Sequence, residues 1–147
     1  IGLALPEEFS VVGALSAGCD RLGILPETVR AVPDIATLRA NRAQLSPADY
    51  DRGMQFFLNF GSPAEFEQND ADNLFRLAEK AKAGGAALPK LILRCGTEDT
   101  LALGPNRRFK AHLDALGIAC DYAEFPGTHS WAFWDEHIQY VLENLPV

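Results

Sequence analysis

Long apolar runs are missing from this 147-residue chain; none approaches the roughly 18 residues that a membrane-spanning helix needs. Cysteine is scarce. Cys19, Cys95 and Cys120 make an odd number, no two stand at metal-ligand spacing, and nothing suggests a disulfide framework. Cys95 and Cys120 lie in apolar segments and read as free, buried thiols. The three histidines are equally scattered, so neither a metal site nor a cofactor is expected. Basic residues are in the minority, 13 Lys and Arg against 20 Asp and Glu, and the net charge of −7 argues against nucleic acid or an anionic membrane as the main partner. No signal peptide is legible at the start of the sequence, which makes the cytoplasm the expected compartment. There is no internal repeat and no low-complexity segment.

What remains is the length of one domain with 48% hydrophobic residues, enough for a sizeable core. "IGLAL" at residues 1–5 reads as the last turns of a helix stopped by Pro6. Residues 8–17, "EFSVVGALSA", are apolar and β-branched enough for a buried strand. Residues 19–45 hold Pro26 and Pro33 and show no strong period, so short helices and loops are expected there. In "SPADYDRGMQFFLNF", residues 46–60, Ser46 is a plausible N-cap with Pro47 at the first helical position. "NFGSPAEFEQND" reads as a loop with turn chemistry at Gly61, Ser62 and Pro63. A helix over 71–83 would set Leu74, Leu77 and Ala78 on one face and end at Gly84-Gly85.

The pattern sharpens after Pro89. "KLILRCG" is an apolar strand. "GPNRRFKAHLDALG" is an amphipathic helix with Phe109, Leu113 and Leu116 at helical spacing. "ACDYAEF" is a further strand, and "FWDEHIQYVLENL" a terminal helix with Phe133, Ile138, Val141, Leu142 and Leu145 facing a core. The order strand, helical insert, strand, helix, strand, helix implies parallel strands joined by right-handed crossovers. The stretch 20–88 would form a cap-like insert within one partial domain spanning 1–147.

Functional groups of open α/β sheets sit in loops after the strands' carboxyl ends. Two such loops carry chemistry here. "RCGTEDTL" places Glu98 and Asp99 just past one strand, and "FPGTHSWAFW" places His129 just past the next. Adjacent strands would bring the tips together, and a carboxylate beside an imidazole can fix its tautomer so that the ring acts as a base. Asp99 is the favoured acid with Glu98 its rival. His137 and His112 read as ordinary helix-face histidines. A third group is Ser16 in "GALSAG", which lacks only the first glycine of a G-x-S-x-G nucleophile elbow. An elbow needs a helix after the serine, and "CDRLGILPETVRAVPD" offers none, so Ser16 reads better as a strand-end residue beside the site.

Together "LPKLILRCGTEDTL", "FPGTHSWAFWDEHIQYVLENLP", "PEEFSVVGALSAG" and "NFGSPAEFEQNDADNLFRLAEKAKA" resemble the C-terminal half of the esterase D-like α/β hydrolases. Bacterial tributyrin esterases look nearest; S-formylglutathione hydrolases, feruloyl esterases and mycolyltransferases look more distant. The resemblance implies an α/β-hydrolase fold, without its N-terminal half, in which Asp99 is the catalytic acid and His129 the base. It places the nucleophilic serine upstream of Ile1. Trp131 and Trp134 would pack near or under the site, with Trp131 and Leu101 on the substrate pocket. The family often carries aromatic residues where this chain has Thr100 and Ala102, which alters the acyl-pocket wall.

The implied activity is hydrolysis of short-chain acyl esters, a small-molecule substrate with no cofactor. The partner expected is the N-terminal half of the same enzyme, or a second copy of the chain. The alternatives are a non-catalytic fragment or partner chain, and a self-sufficient small hydrolase using Ser16.

Overall fold

A computed structural model describes residues 1–146. In chain order its elements are β1 (Val11–Leu15), α1 (Glu27–Arg30), α2 (Ile35–Ala40), α3 (Pro47–Phe60), α4 (Pro63–Glu67), α5 (Leu74–Gly84), β2 (Lys90–Gly96), α6 (Leu103–Ala115), β3 (Cys120–Phe125) and α7 (Trp131–Glu143). Two short 3-10 turns, Pro6–Glu8 and Arg42–Gln44, complete it. The strands form one parallel sheet in the order β1-β2-β3, with Val12 opposite Leu91 and Leu91 opposite Cys120.

β2 lies in the middle and is buried at every residue after Lys90. Its apolar run follows from that position, because helices cover both faces of a parallel sheet. Leu91 and Leu93 meet Leu77 and Ala78 of α5 and Phe109 and Leu113 of α6 on one face. α7 covers the other and descends onto Gly13, where a β-carbon would fall 2.4 Å from Val141 Cγ1. Beneath α7 the buried Arg94 donates to Asp121 through both its backbone carbonyl (2.8 Å) and its carboxylate (2.9 Å), and lies 4.2 Å from the centroid of the Tyr140 ring.

The helical segment after β1 has a core of its own. Leu25, Val29, Leu38, Phe56, Phe57 and Phe66 cluster apart from the sheet, and Phe56, Phe60 and Phe66 pack ring against ring at 5.2–5.3 Å. α5 does not join this group; Leu77, Ala78 and Ala81 belong to the core against the sheet. Residues 20–88 therefore divide into a helical body, α1–α4, and a helix of the main layer.

Several local expectations are corrected. The first strand is five residues long rather than ten, because Pro6–Glu8 coil beforehand and Ser16 turns away at φ +48°. Residues 1–5 make a turn before Pro6, with the Ala4 and Leu5 amides bonded to the Ile1 carbonyl. "GSPAEFE" is a short helix and not a loop. Ser62 Oγ accepts from the Glu65 amide while Glu65 Oε2 accepts from the Ser62 amide, a capping box written in S-P-A-E. α5 starts at Leu74, since Asn69 Oδ1 binds the amides of Ala71 and Asp72 outside the helix. α7 starts at Trp131 behind the cap Ser130.

The expected core face of α7 is half wrong. Phe133 and Val141 are buried, but Ile138, Leu142 and Leu145 are 37%, 57% and 45% exposed. Tyr140 Oη donates to Asp121 on the β3 flank of the helix. At 100° per residue Ile138 and Leu142 stand on the side of α7 away from Tyr140, and Leu145 follows the helix end at Glu143. Beyond β1 the sheet is open: the Ser10 carbonyl and the Ser16 amide bond across to β2, so alternation sends the peptide groups of Val11, Gly13 and Leu15 outward, with no further strand among the described residues. Among the described residues no helix is long and apolar enough to cross a membrane.

Candidate active site

Two loops, one after β2 and one after β3, make the site. Each is anchored to the other by backbone bonds: the Thr97 amide donates to the Phe125 carbonyl (2.8 Å) and the Glu98 amide to the Gly127 carbonyl (2.9 Å). This lock sets Asp99 inward. Its side chain is completely enclosed, and Oδ1 accepts from the amides of Leu101 (3.1 Å) and Ala102 (2.9 Å), where the loop turns into α6. Oδ2 lies 2.8 Å from His129 Nδ1.

An ionised carboxylate only accepts, so the proton between them belongs to Nδ1. That leaves Nε2 as the free lone pair of the ring, and the His129 side chain is 40% exposed. Burial alone would raise the Asp99 carboxyl. The bonds from Ala102 and His129, with the Ser16 hydroxyl close by, outweigh it and hold the group below the ordinary carboxylate range. His129 also meets the edge of Trp134, ring centroids 5.0 Å apart.

Of the acids considered, it is Asp99 that reaches an imidazole; Glu98 is exposed beside it. His137 stacks on Phe125 at 4.4 Å, and His112 lies 3.3 Å from the Phe75 carbonyl; neither bonds to Asp99. Ser16 ends β1 in a left-handed conformation, and no other non-glycine residue described has a positive φ. Its Oγ is buried, close enough to Asp99 and Cys95 to lower both, but meets hydrogen-bond geometry with neither and makes no bond to His129. No helix follows it. Burial pushes the thiols of Cys95 and Cys120 up to about 11 and that of Cys19 up to about 12, which excludes a thiolate nucleophile at neutral pH.

Ser16, Leu101 and His129 share a cavity of about 620 Å³. Leu101 stands on its wall, 58% exposed. Trp131 does not; it is 82% exposed and packs edge-on to Trp134. Three further lining residues, Arg21, Arg52 and Arg108, escaped the sequence reading because they come from distant segments and share no motif. No three His, Cys, Asp or Glu side chains among the described residues converge as a metal site requires.

No protein-family model and no curated protein matches the chain. Solved structures do. S-formylglutathione hydrolase from Staphylococcus aureus superposes with a TM-score of 0.61 at 20% identity, over 97% of this chain and 46% of that one. A substrate-bound fluorophosphonate-binding serine hydrolase of the same organism gives 0.57 at 22% identity, over 97% and 46%. A ferulic acid esterase gives 0.56 at 18%, over 95% and 42%. The chain thus spans less than half the length of each. Its parallel strands, flanking helices and paired loops are part of an α/β-hydrolase fold.

Proposed function

We propose that this chain carries the acid and base of a serine carboxylesterase acting on short-chain acyl esters, with Asp99 orienting His129. The observation that carries the reading is the 2.8 Å contact between the enclosed Asp99 carboxylate and His129 Nδ1, with Nε2 left free. In this reading Nε2 takes the proton of a serine hydroxyl as the oxygen attacks the ester carbonyl. Asp99 stabilises the imidazolium that forms. Collapse of the tetrahedral intermediate sends that proton to the departing alcohol, and the same base then activates water to hydrolyse the acyl-enzyme.

The nucleophile is a serine outside these 147 residues, on a polypeptide that adds to the open edge of β1 and covers Ile138 and Leu142. The outward peptide groups of β1 and the exposed flank of α7 favour this. α1–α4, with their separate core, act as a cap over the cavity. Tributyrin-like esters fit the size of the cavity, about 620 Å³.

A second reading has one observation behind it: Ser16 takes a positive φ at a strand end and lines the same cavity as His129. A fluorophosphonate probe separates the two. On the first reading the chain alone is not labelled, and an added N-terminal polypeptide is labelled only when both are present. Labelling of this chain that disappears in Ser16→Ala establishes the second. If no combination is labelled or hydrolyses an ester, neither stands and the chain is non-catalytic.

A further inference from the structure

The cavity beside His129 has an electrostatic character opposite to that of the protein. Acidic residues exceed basic ones by seven over the whole chain. Yet Arg21, Arg52 and Arg108 line this cavity and no Asp or Glu does. Their charges are only partly answered. Arg108 Nε donates to Asp20 Oδ2 at 2.6 Å, and the other oxygen of Asp20 accepts the Gly23 amide. Arg52 is 3.6 Å from Asp49, whose other oxygen accepts from Ser46 Oγ. Arg21 has no ion pair among the described residues. Arg21 and Arg52 also line a neighbouring cavity of about 240 Å³, so both side chains border the two spaces.

We infer that the site takes esters bearing an anionic group, a carboxylate on the acyl or the alcohol part, held by Arg21 and Arg52 while the ester carbonyl lies at His129. This rests on the reading of Asp99 and His129 as acid and base. A guanidinium presents a planar fork that matches a carboxylate in two parallel hydrogen bonds. A cleft lined by one sign of charge also concentrates ligands of the other sign. The remaining wall, Ile24 and Leu101 among it, suits the apolar part of a short acyl ester. Carboxylates fit better than doubly charged phosphates because Arg108 is already engaged by Asp20, leaving two guanidinium groups and not three.

The test compares matched ester pairs on the complete enzyme. For the acyl side, 4-nitrophenyl hemisuccinate is set against 4-nitrophenyl butyrate. For the alcohol side, the butyryl ester of 4-hydroxybenzoate is set against that of 4-hydroxybenzamide. In one of the two pairs the anion should be preferred by about tenfold in kcat/KM, the preference shrinking as salt rises. Arg21→Gln and Arg52→Gln should each bring that ratio toward unity. Equal or reversed preference in both pairs overturns the inference while leaving the esterase reading intact. If no ester is turned over, the esterase reading fails, and calorimetric titration of the chain with succinate and with 4-hydroxybenzoate decides the inference separately. Binding weakened by Arg21→Gln and by Arg52→Gln supports it; no binding overturns it.

Discussion

A β-carbon on Gly96 would lie 2.2 Å from the carbonyl oxygen of Gly127. The two glycines let the loop after β2 and the loop after β3 touch backbone to backbone, and the bond from Glu98 to Gly127 depends on that approach. Gly127 itself has φ +148°, and a β-carbon there would meet Phe133 Cδ2 at 2.6 Å. Gly96→Ala should therefore push the loops apart and cost about 2 kcal/mol. A thermal melt should fall by several degrees, and the Nδ1 proton resonance of His129 should weaken. An unchanged melt with the resonance intact would contradict the account.

The Asp99–His129 contact has a signature independent of turnover. Its Nδ1 proton should appear far downfield in proton NMR and vanish in Asp99→Asn, while Glu98→Gln leaves it in place. In the complete enzyme, Asp99→Asn should lower kcat by roughly ten-thousand-fold, as loss of the orienting acid does elsewhere. Near-normal activity in that variant would transfer the acid role to Glu98.

Acid should destabilise the fold through a definable set of carboxylates. Asp99 and Asp121 are held below the usual Asp value, and Glu124 goes from 4.5 to about 2 because Arg107 and Tyr122 bond to it. A depressed folded value means that the unfolded chain binds more protons as pH drops. The stabilisation is complete above the unfolded values and is lost as pH falls through the folded ones. The melting temperature should hold down to about pH 5 and then decline between about 4.5 and 2. Arg107→Gln should make the decline shallower. A melt insensitive to pH across that window would refute the assignment.

Arg94 is buried and bonded, and Asp121 beside it is one-third exposed. Arg94→Ala empties the space under Tyr140 and unpairs a carboxylate that water can still reach, so the expected loss is about 2 kcal/mol, below that of a fully enclosed pair. Arg94→Met should lose less, since it refills the space. Urea unfolding of the two variants measures the difference, and equal losses would show that packing plays no part.

The open edge of β1 with the apolar flank of α7 should make the isolated chain self-associate. Ile138→Lys and Leu142→Lys should reduce the weight-average mass in light scattering without lowering the melting temperature. Unreduced association in both variants would place the contact elsewhere.

Which parts were legible in the sequence follows from how local their causes are. β2, α6 and β3 are announced by short apolar or β-prone segments or by helical spacing closed with Gly117, and each appears within two residues of its expected bounds. Asp99 and His129 could be chosen because each stands just past a strand in a loop whose position the strand dictates. The α4 capping box is equally local, but its S-P-A-E stands among turn residues that favour a loop as strongly. The exposed face of α7 could not be read. Ile138, Leu142 and Leu145 obey the same 3.6-residue period as Phe133 and Val141, and periodicity does not say how far around the helix the sheet reaches.

The sequence by itself determined a parallel α/β arrangement, the acidic surface, and the two loops that hold an acid and an imidazole, because strand and helix periods are properties of neighbouring residues. The tertiary structure alone decided that Gly96 meets Gly127, that the Asp99 carboxylate closes to 2.8 Å from His129 Nδ1, and that Arg21, Arg52 and Arg108 line one cavity. Those relations join residues far apart in the chain, and only packing fixes the distances over which hydrogen bonds and charges act.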